Sequence, residues 1–257
     1  RFLTIAAMIG GSALLADGMI TPPISISSAI EGLHHYNESV PVIPIVILII
    51  FALFFIQQFG TGFVGKSFGP VMLIWFSMIG VLGVASLTLN PAVLHALNPV
   101  YAYELLTKYP GGFWLLGGVF LCTTGAEALY SDLGHCGKQN IRVSWTFVKI
   151  SLLLNYLGQG AWLLTKAGTH LSDRNPFYEI MPDWFFLVGV TVSTLAAIVA
   201  SQALISGSFT LINEAIRLNF LPRMKISYPT DIRGQIYIPA INWSLLIAIL
   251  AAVIGFG

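Results

Sequence analysis

Long apolar runs joined by short polar connections dominate the chain. A helix rises 1.5 Å per residue, so about 20 mainly apolar residues are needed to cross the ~30 Å hydrocarbon core of a bilayer. The longest polar connections fall at 90–112 and 213–235. The pattern predicts an all-α, polytopic membrane helix bundle with seven spans, at about 2–30, 40–58, 69–89, 113–131, 143–164, 184–212 and 236–257.

The composition also indicates an integral membrane protein. Of the 257 residues, 56% are hydrophobic and only 9% are charged, whereas a soluble domain is about 25% charged. The mean hydropathy is +0.82. The net charge of +1 gives no electrostatic reason to expect nucleic acid as a partner. We therefore expect lipid, and no nucleic acid, around this chain.

The distribution of basic residues predicts the orientation, because cytoplasmic loops are enriched in Lys and Arg. If Arg1 is cytoplasmic, that side collects most of the basic loop residues and the opposite side collects few. The chain begins without Met and ends inside an apolar run. We interpret residues 1–257 as a single integral membrane domain that is incomplete at both ends. The cytoplasmic set is Arg1, Lys66, Lys138, Arg142, Arg217, Arg223, Lys225 and Arg233, and the opposite set is Lys108, Lys166 and Arg174.

The first span carries an unusual group of oxygen atoms. Asp17, Thr21 and Ser25 are spaced i, i+4 and i+8, so they lie on one side of a helix. Pro22 and Pro23 have no N–H group, which leaves two carbonyl groups one turn earlier without their usual donors. Carboxylate, hydroxyl and carbonyl oxygens at membrane depth are suitable ligands for a dehydrated cation.

The fourth span contains a second acid. Thr124 lies about 16 Å along the helix from residue 113, near the bilayer midplane, and Glu127 follows three residues later on the same side. Gly125 would ease a local unwinding that turns backbone carbonyls toward a cavity. A carboxylate at this depth costs at least ~2.5 kcal/mol on insertion scales, which indicates a functional role.

The two acids are predicted to do different work. A carboxyl group in a low-dielectric environment favours its neutral form, so Glu127 is suited to carry a proton. Asp17, surrounded by hydroxyl and carbonyl groups, is suited to stay ionised and attract a cation. The structural alternative for either acid is a buried hydrogen bond that joins two helices. For the hydroxyl groups it is a bond to the carbonyl one turn earlier.

Several strings in the chain resemble the Kup/HAK/KT family of potassium uptake transporters. The resemblance runs almost from end to end. The most distinctive strings are GGSALLADGMITPPISISSAIEGL, IQQFGTGFVGKSFGPVMLIWF, NPAVLHALNP, TTGAEALYSDLGHCGKQNIR, NYLGQGAWLL, ASQALISGSFTLINEAIRL and GQIYIPAINW.

This resemblance implies a LeuT-type fold of inverted repeats and secondary K⁺ uptake, as K⁺/H⁺ symport, in the plasma (bacterial inner) membrane. The seven spans would be the third to ninth membrane helices of the family. K⁺ would bind at the midplane between the first and fourth spans. Potassium would be the substrate and the proton the coupling ion, with no cofactor. The resemblance is also compatible with a homodimer. By resemblance, the K⁺ ligands are Asp17, Thr21, Ser25 and Thr124, and the proton-coupling residue is Glu127.

Three other functions remain to be compared with K⁺ uptake. An amino-acid or polyamine transporter of the same superfamily is the alternative, and uptake of leucine or putrescine would distinguish it. A channel would need a carbonyl filter such as TVGYG, which the sequence lacks. The sequence has no HExxH or GxSxG motif, so we do not expect an enzyme. The five histidines do not share a span, which argues against a transition-metal site.

Overall fold

The computed structural model describes residues 2–35, 39–59, 62–122, 138–171, 174–229 and 236–256, and its regular elements in these ranges are helices. Extended pairing within the described residues is confined to one bridge between Ser227 and Tyr237. The all-α prediction is confirmed for this part of the chain. The helices are α1 (Phe2–Glu31), α2 (Val42–Ile56), α3 (Gly62–Leu87), α4 (Pro99–Lys108), α5 (Gly112–Cys122), α6 (Lys138–Thr165), α7 (Pro176–Glu179), α8 (Phe186–Arg217) and α9 (Pro239–Phe256).

Four of the described helices are long and apolar enough to cross a membrane. They coincide with the first, second, third and sixth predicted spans. The fifth predicted span corresponds to α6, which carries three basic residues. The seventh corresponds to the shorter apolar helix α9. The fourth begins in α5 and continues outside the described residues. The four candidate spans are Thr4–Glu31, Val42–Phe59, Ser67–Leu87 and Phe186–Arg217.

The first of two compact units comprises residues 1–75 and 184–257. In it, α1 packs along α8, while α2 and α9 pack against α1 and against each other. Lipid is as apolar as the core side chains, so close van der Waals packing holds such helices together rather than removal from water. The fully buried side chains at the centre of this unit include Ile26, Ile50, Phe54, Phe209, Ile238 and Ile249.

The second unit comprises residues 76–183, and glycines bring two of its helices into backbone contact. A Cβ atom added to Gly158 of α6 would stand 2.6 Å from the Cα atom of Gly83 in α3. Backbones approach this closely only where neither residue has a side chain. The Gly83–Gly158 crossing therefore fixes how α3 and α6 pack.

The connection at 90–112 is more ordered than the sequence analysis expected. It contains a 3₁₀ helix over Pro91–Leu97, the helix α4, and the start of α5. The Asn90 side chain accepts a hydrogen bond from the Ala92 N–H, and Asn98 accepts one from Val100. In each case Asn caps the helix and Pro occupies its first turn, where a missing N–H costs nothing. The connection at 90–112 is therefore helical over most of its length.

Candidate ion site

The helix α1 continues without interruption through its two prolines. Pro22 and Pro23 lie inside α1 and are buried. Proline cannot donate a backbone hydrogen bond, so the carbonyl groups of Gly18 and Met19 lack the donor that a regular helix would supply one turn later. The structure thus confirms that this segment is helical, with both prolines inside the helix.

The Thr21 hydroxyl donates a hydrogen bond to the Asp17 carboxylate, with 2.5 Å between Thr21 Oγ1 and Asp17 Oδ1. Both side chains are half-buried, as is Ser25 one turn further along α1. Because the Thr21 hydroxyl is the donor in this hydrogen bond, the lone pairs of its oxygen remain available to other partners. The hydrogen bond therefore holds two side-chain oxygens of α1 next to each other.

The other two predicted site residues cannot be placed. Thr124 and Glu127, together with the expected unwinding at Gly125, lie outside the described residues, which stop at 122 and resume at 138. Their assignment to K⁺ binding and proton coupling stays a prediction.

A serine of α8 lies beside the acidic segment of α1. A Cβ atom added to Gly18 would stand 2.8 Å from the Ser208 Oγ, so α8 approaches the backbone of α1 at the residue next to Asp17. Seven residues earlier in α1, a Cβ atom added to Gly11 would stand 3.8 Å from the Leu211 side chain. The earlier residue of α1 contacts the later residue of α8, so the two helices are antiparallel. The first and sixth predicted spans must also run in opposite directions.

The polar side of α8 is a feature that the sequence analysis missed. Ser201 and Ser208 are 1% and 2% exposed, and each hydroxyl donates to the carbonyl one turn earlier. Gln202 is also buried, and its Nε2 has no hydrogen-bond partner in the part of the chain that the structure describes. The seven-residue spacing of the two serines, which places them on the same side of a helix, was the signal that could have revealed them.

Lys149 lies inside α6, and its ammonium group stands 5.5 Å from the centroid of the Trp145 ring. Trp145 is one turn closer to the start of α6, where Lys138 and Arg142 mark the predicted cytoplasmic end. A long basic side chain that reaches toward the nearer membrane surface is typical of snorkelling. This geometry favours an interfacial role for Lys149 over one as an internal counter-charge.

The helix α1 thus has an acid, an aligned hydroxyl and a proline pair within a candidate membrane span. Comparison with known protein families gives a match over the whole chain. Residues 1–257 match the family described as the K⁺ potassium transporter integral membrane domain. The chain belongs to this potassium transporter family. The predicted resemblance to Kup transporters is thereby confirmed, and the family is one of integral membrane transporters rather than enzymes.

Individual relatives agree with the family match. The chain is 60% identical to a probable potassium transport system protein Kup of Flavobacterium psychrophilum, over all of this chain and 40% of the relative. It is 59% identical to the protein of the same description from Cytophaga hutchinsonii, over 98% of this chain and 39% of the relative. A Clostridium perfringens protein with this description is 52% identical, over 100% of this chain and 41% of its own length.

The chain thus spans about 40% of the length of the curated relatives that it matches. No solved structure matches the chain.

Proposed function

We propose that the protein takes up potassium across the plasma membrane, with K⁺ bound at the oxygen atoms that α1 presents at membrane depth. The observation that carries this proposal is the hydrogen bond from Thr21 to Asp17, on a span that contains two prolines in a member of a potassium transporter family. An acid kept within a membrane span at a cost of at least ~2.5 kcal/mol indicates work on a cation.

The chemistry of this group suits K⁺. The Asp17 carboxylate supplies a negative charge, the Thr21 and Ser25 side chains supply neutral hydroxyl oxygens, and Gly18 and Met19 supply carbonyl groups released by the prolines. These oxygens would replace water molecules in the hydration shell of the ion. Selectivity over Na⁺ would follow from their number and field strength.

The rest of the mechanism is proposed from the sequence. Thr124 would add a ligand from the fourth span, and Glu127 would carry the coupling proton. The seven spans would be the third to ninth helices of a LeuT-type inverted-repeat fold. Transport would then proceed by rocking of one helix bundle against the other around a fixed midplane site.

Energetics favour coupling to a proton. Inward movement of K⁺ down the membrane potential provides about 2.3 kcal/mol per 100 mV. A proton that moves with it provides an equal electrical contribution and, when the outside is more acidic, a chemical one as well. This additional driving force would allow uptake from scarce external potassium.

The names of the relatives support potassium over the alternative substrates. Those described above are all potassium transport system proteins, and the family match has the same substrate. An amino-acid or polyamine substrate has no comparable support.

Uptake of radioactive Rb⁺, a K⁺ analogue, by the purified full-length protein in proteoliposomes would test the proposal. We expect uptake that external K⁺ inhibits and that increases when the outside is made acidic at a clamped membrane potential. Leucine and putrescine should neither be taken up nor inhibit. Leucine or putrescine uptake without Rb⁺ uptake would contradict the proposed substrate. Rb⁺ uptake that does not change with the pH gradient would contradict only the proposed proton coupling and not the substrate.

A further inference from the structure

The contact between Gly18 and Ser208 lies next to the proposed ion ligands. Gly18 directly follows Asp17, and its carbonyl group is one of the two that the prolines leave without a donor. The Ser208 Oγ would stand 2.8 Å from a Cβ at this position. Alanine at residue 18 would therefore need this hydroxyl to move.

The bonding of Ser208 leaves its oxygen able to accept a cation. The hydroxyl donates its proton to the Leu204 carbonyl at 3.0 Å, and the residue is 2% exposed. A serine hydroxyl has one donor and two acceptor lone pairs. The hydroxyl hydrogen of Ser208 is used in the bond to the backbone of α8, while the oxygen lone pairs remain at the face where α8 contacts α1.

We propose that Ser208 is a further oxygen ligand of the potassium site, supplied by α8. This inference rests on the proposed K⁺ site at Asp17. It adds a third helix, α8, to a site otherwise assigned to the first and fourth spans. Ser208 would bring a neutral hydroxyl from the helix that packs along α1, and would couple the position of α8 to ion occupancy.

A matched control lies on the same helix. Ser193 is 5% exposed, and its hydroxyl also donates to a backbone carbonyl, that of Val190 at 2.8 Å. It lies 15 residues before Ser208, which corresponds to about 22 Å along α8. Removing its hydroxyl therefore reproduces the loss of a buried, back-bonded oxygen at a distance from Asp17.

The test is the concentration dependence of Rb⁺ uptake by the full-length protein in proteoliposomes. Loss of one neutral ligand should raise the KM of Ser208→Ala about five- to tenfold with little change in maximal rate. Ser193→Ala should retain the wild-type KM. Ser208→Cys should behave like Ser208→Ala, because it keeps a similar shape but replaces a hard oxygen by a soft sulfur.

A double variant separates ion binding from packing. Gly18→Ala alone should lower thermal stability, since its new Cβ meets the Ser208 Oγ. Combining it with Ser208→Ala should restore the stability but leave the KM raised. If Ser208→Ala and Ser208→Cys both keep the wild-type KM while Asp17→Asn abolishes uptake, Ser208 is not a ligand and the site on α1 stands. If Asp17→Asn also transports normally, the proposed ion site itself fails.

Discussion

Gly83 and Gly158 meet backbone to backbone where α3 crosses α6. A Cβ atom at residue 158 would stand 2.6 Å from both the Cα and the carbonyl oxygen of Gly83. Atoms of the backbone cannot rotate away as the end of a side chain can. The crossing therefore requires glycine at residue 158.

Gly158→Ala should destabilise the protein, because α3 and α6 must separate to admit the methyl group. Overpacking of this kind costs about 1–3 kcal/mol, which should lower the thermal midpoint of the detergent-solubilised protein. Gly117→Ala is the control, since nothing in the described residues lies within 4 Å of its added Cβ. Equal midpoints for the two variants would contradict the close crossing.

Asn242 links two helices that are distant in the sequence. Its Nδ2 donates to the Phe54 carbonyl at 3.2 Å across a sequence separation of 188 residues, and the side chain is fully buried. Phe54 is in the last turn of α2, where fewer backbone donors are available to the carbonyl groups. The amide thus supplies a donor near the end of α2.

Asn242→Ala should lower stability by about 1–3 kcal/mol, the cost of leaving a buried carbonyl unpaired. Asn242→Asp should lower it further, because a buried charge is added and the donor is lost. Thermal unfolding in detergent measures both. Ser244→Ala is the control on the same helix, since Ser244 is exposed and its hydroxyl donates to the Ala240 carbonyl one turn earlier. A stable Asn242→Asp variant would refute the role of the Nδ2 donor.

Thr21 should affect ion binding through its hydroxyl rather than its shape. Thr21→Val removes the group that donates to Asp17 and should raise the KM for Rb⁺ about tenfold. Thr21→Ser keeps the hydroxyl and should stay near the wild type. Ser12→Ala is the control, since the Ser12 hydroxyl on the same helix is exposed and donates to Met8. A Thr21→Val variant with the wild-type KM would show that this hydroxyl is not a ligand.

Glu127 carries the coupling proton in the proposed mechanism, a prediction that rests on its depth in the fourth span. Glu127→Gln is a neutral mimic of the protonated acid. It should still bind K⁺, but its Rb⁺ uptake should no longer respond to an imposed pH gradient. The measurement is the pH profile of uptake at a clamped potential. An unchanged profile would remove Glu127 from the coupling step.

The sequence was sufficient where local rules decide the structure. Apolar run length predicted helices such as α1, α2 and α8, and the i, i+4 spacing predicted that Asp17 and Thr21 share one side. The Asn-Pro pairs at 90–91 and 98–99 also follow a local rule, that of helix capping, and recognising it would have predicted the helices between 90 and 112.

Other features depend on which helices meet. Ser208 gains importance from its contact with Gly18, and Asn242 from its contact with Phe54. Each pair joins segments from opposite ends of the chain, and helical periodicity within one segment does not specify its partner. Packing of whole helices decides such contacts, so they became visible only in the structure.

In the proposed mechanism the carboxylate of Asp17 binds potassium. Isothermal titration of K⁺ into the purified full-length protein measures this directly, with Asp17→Asn and Asp17→Glu beside the wild type. We predict that Asp17→Asn weakens K⁺ binding at least about tenfold, because the ligand loses its charge, while Asp17→Glu retains measurable affinity. Wild-type affinity in Asp17→Asn would contradict the claim.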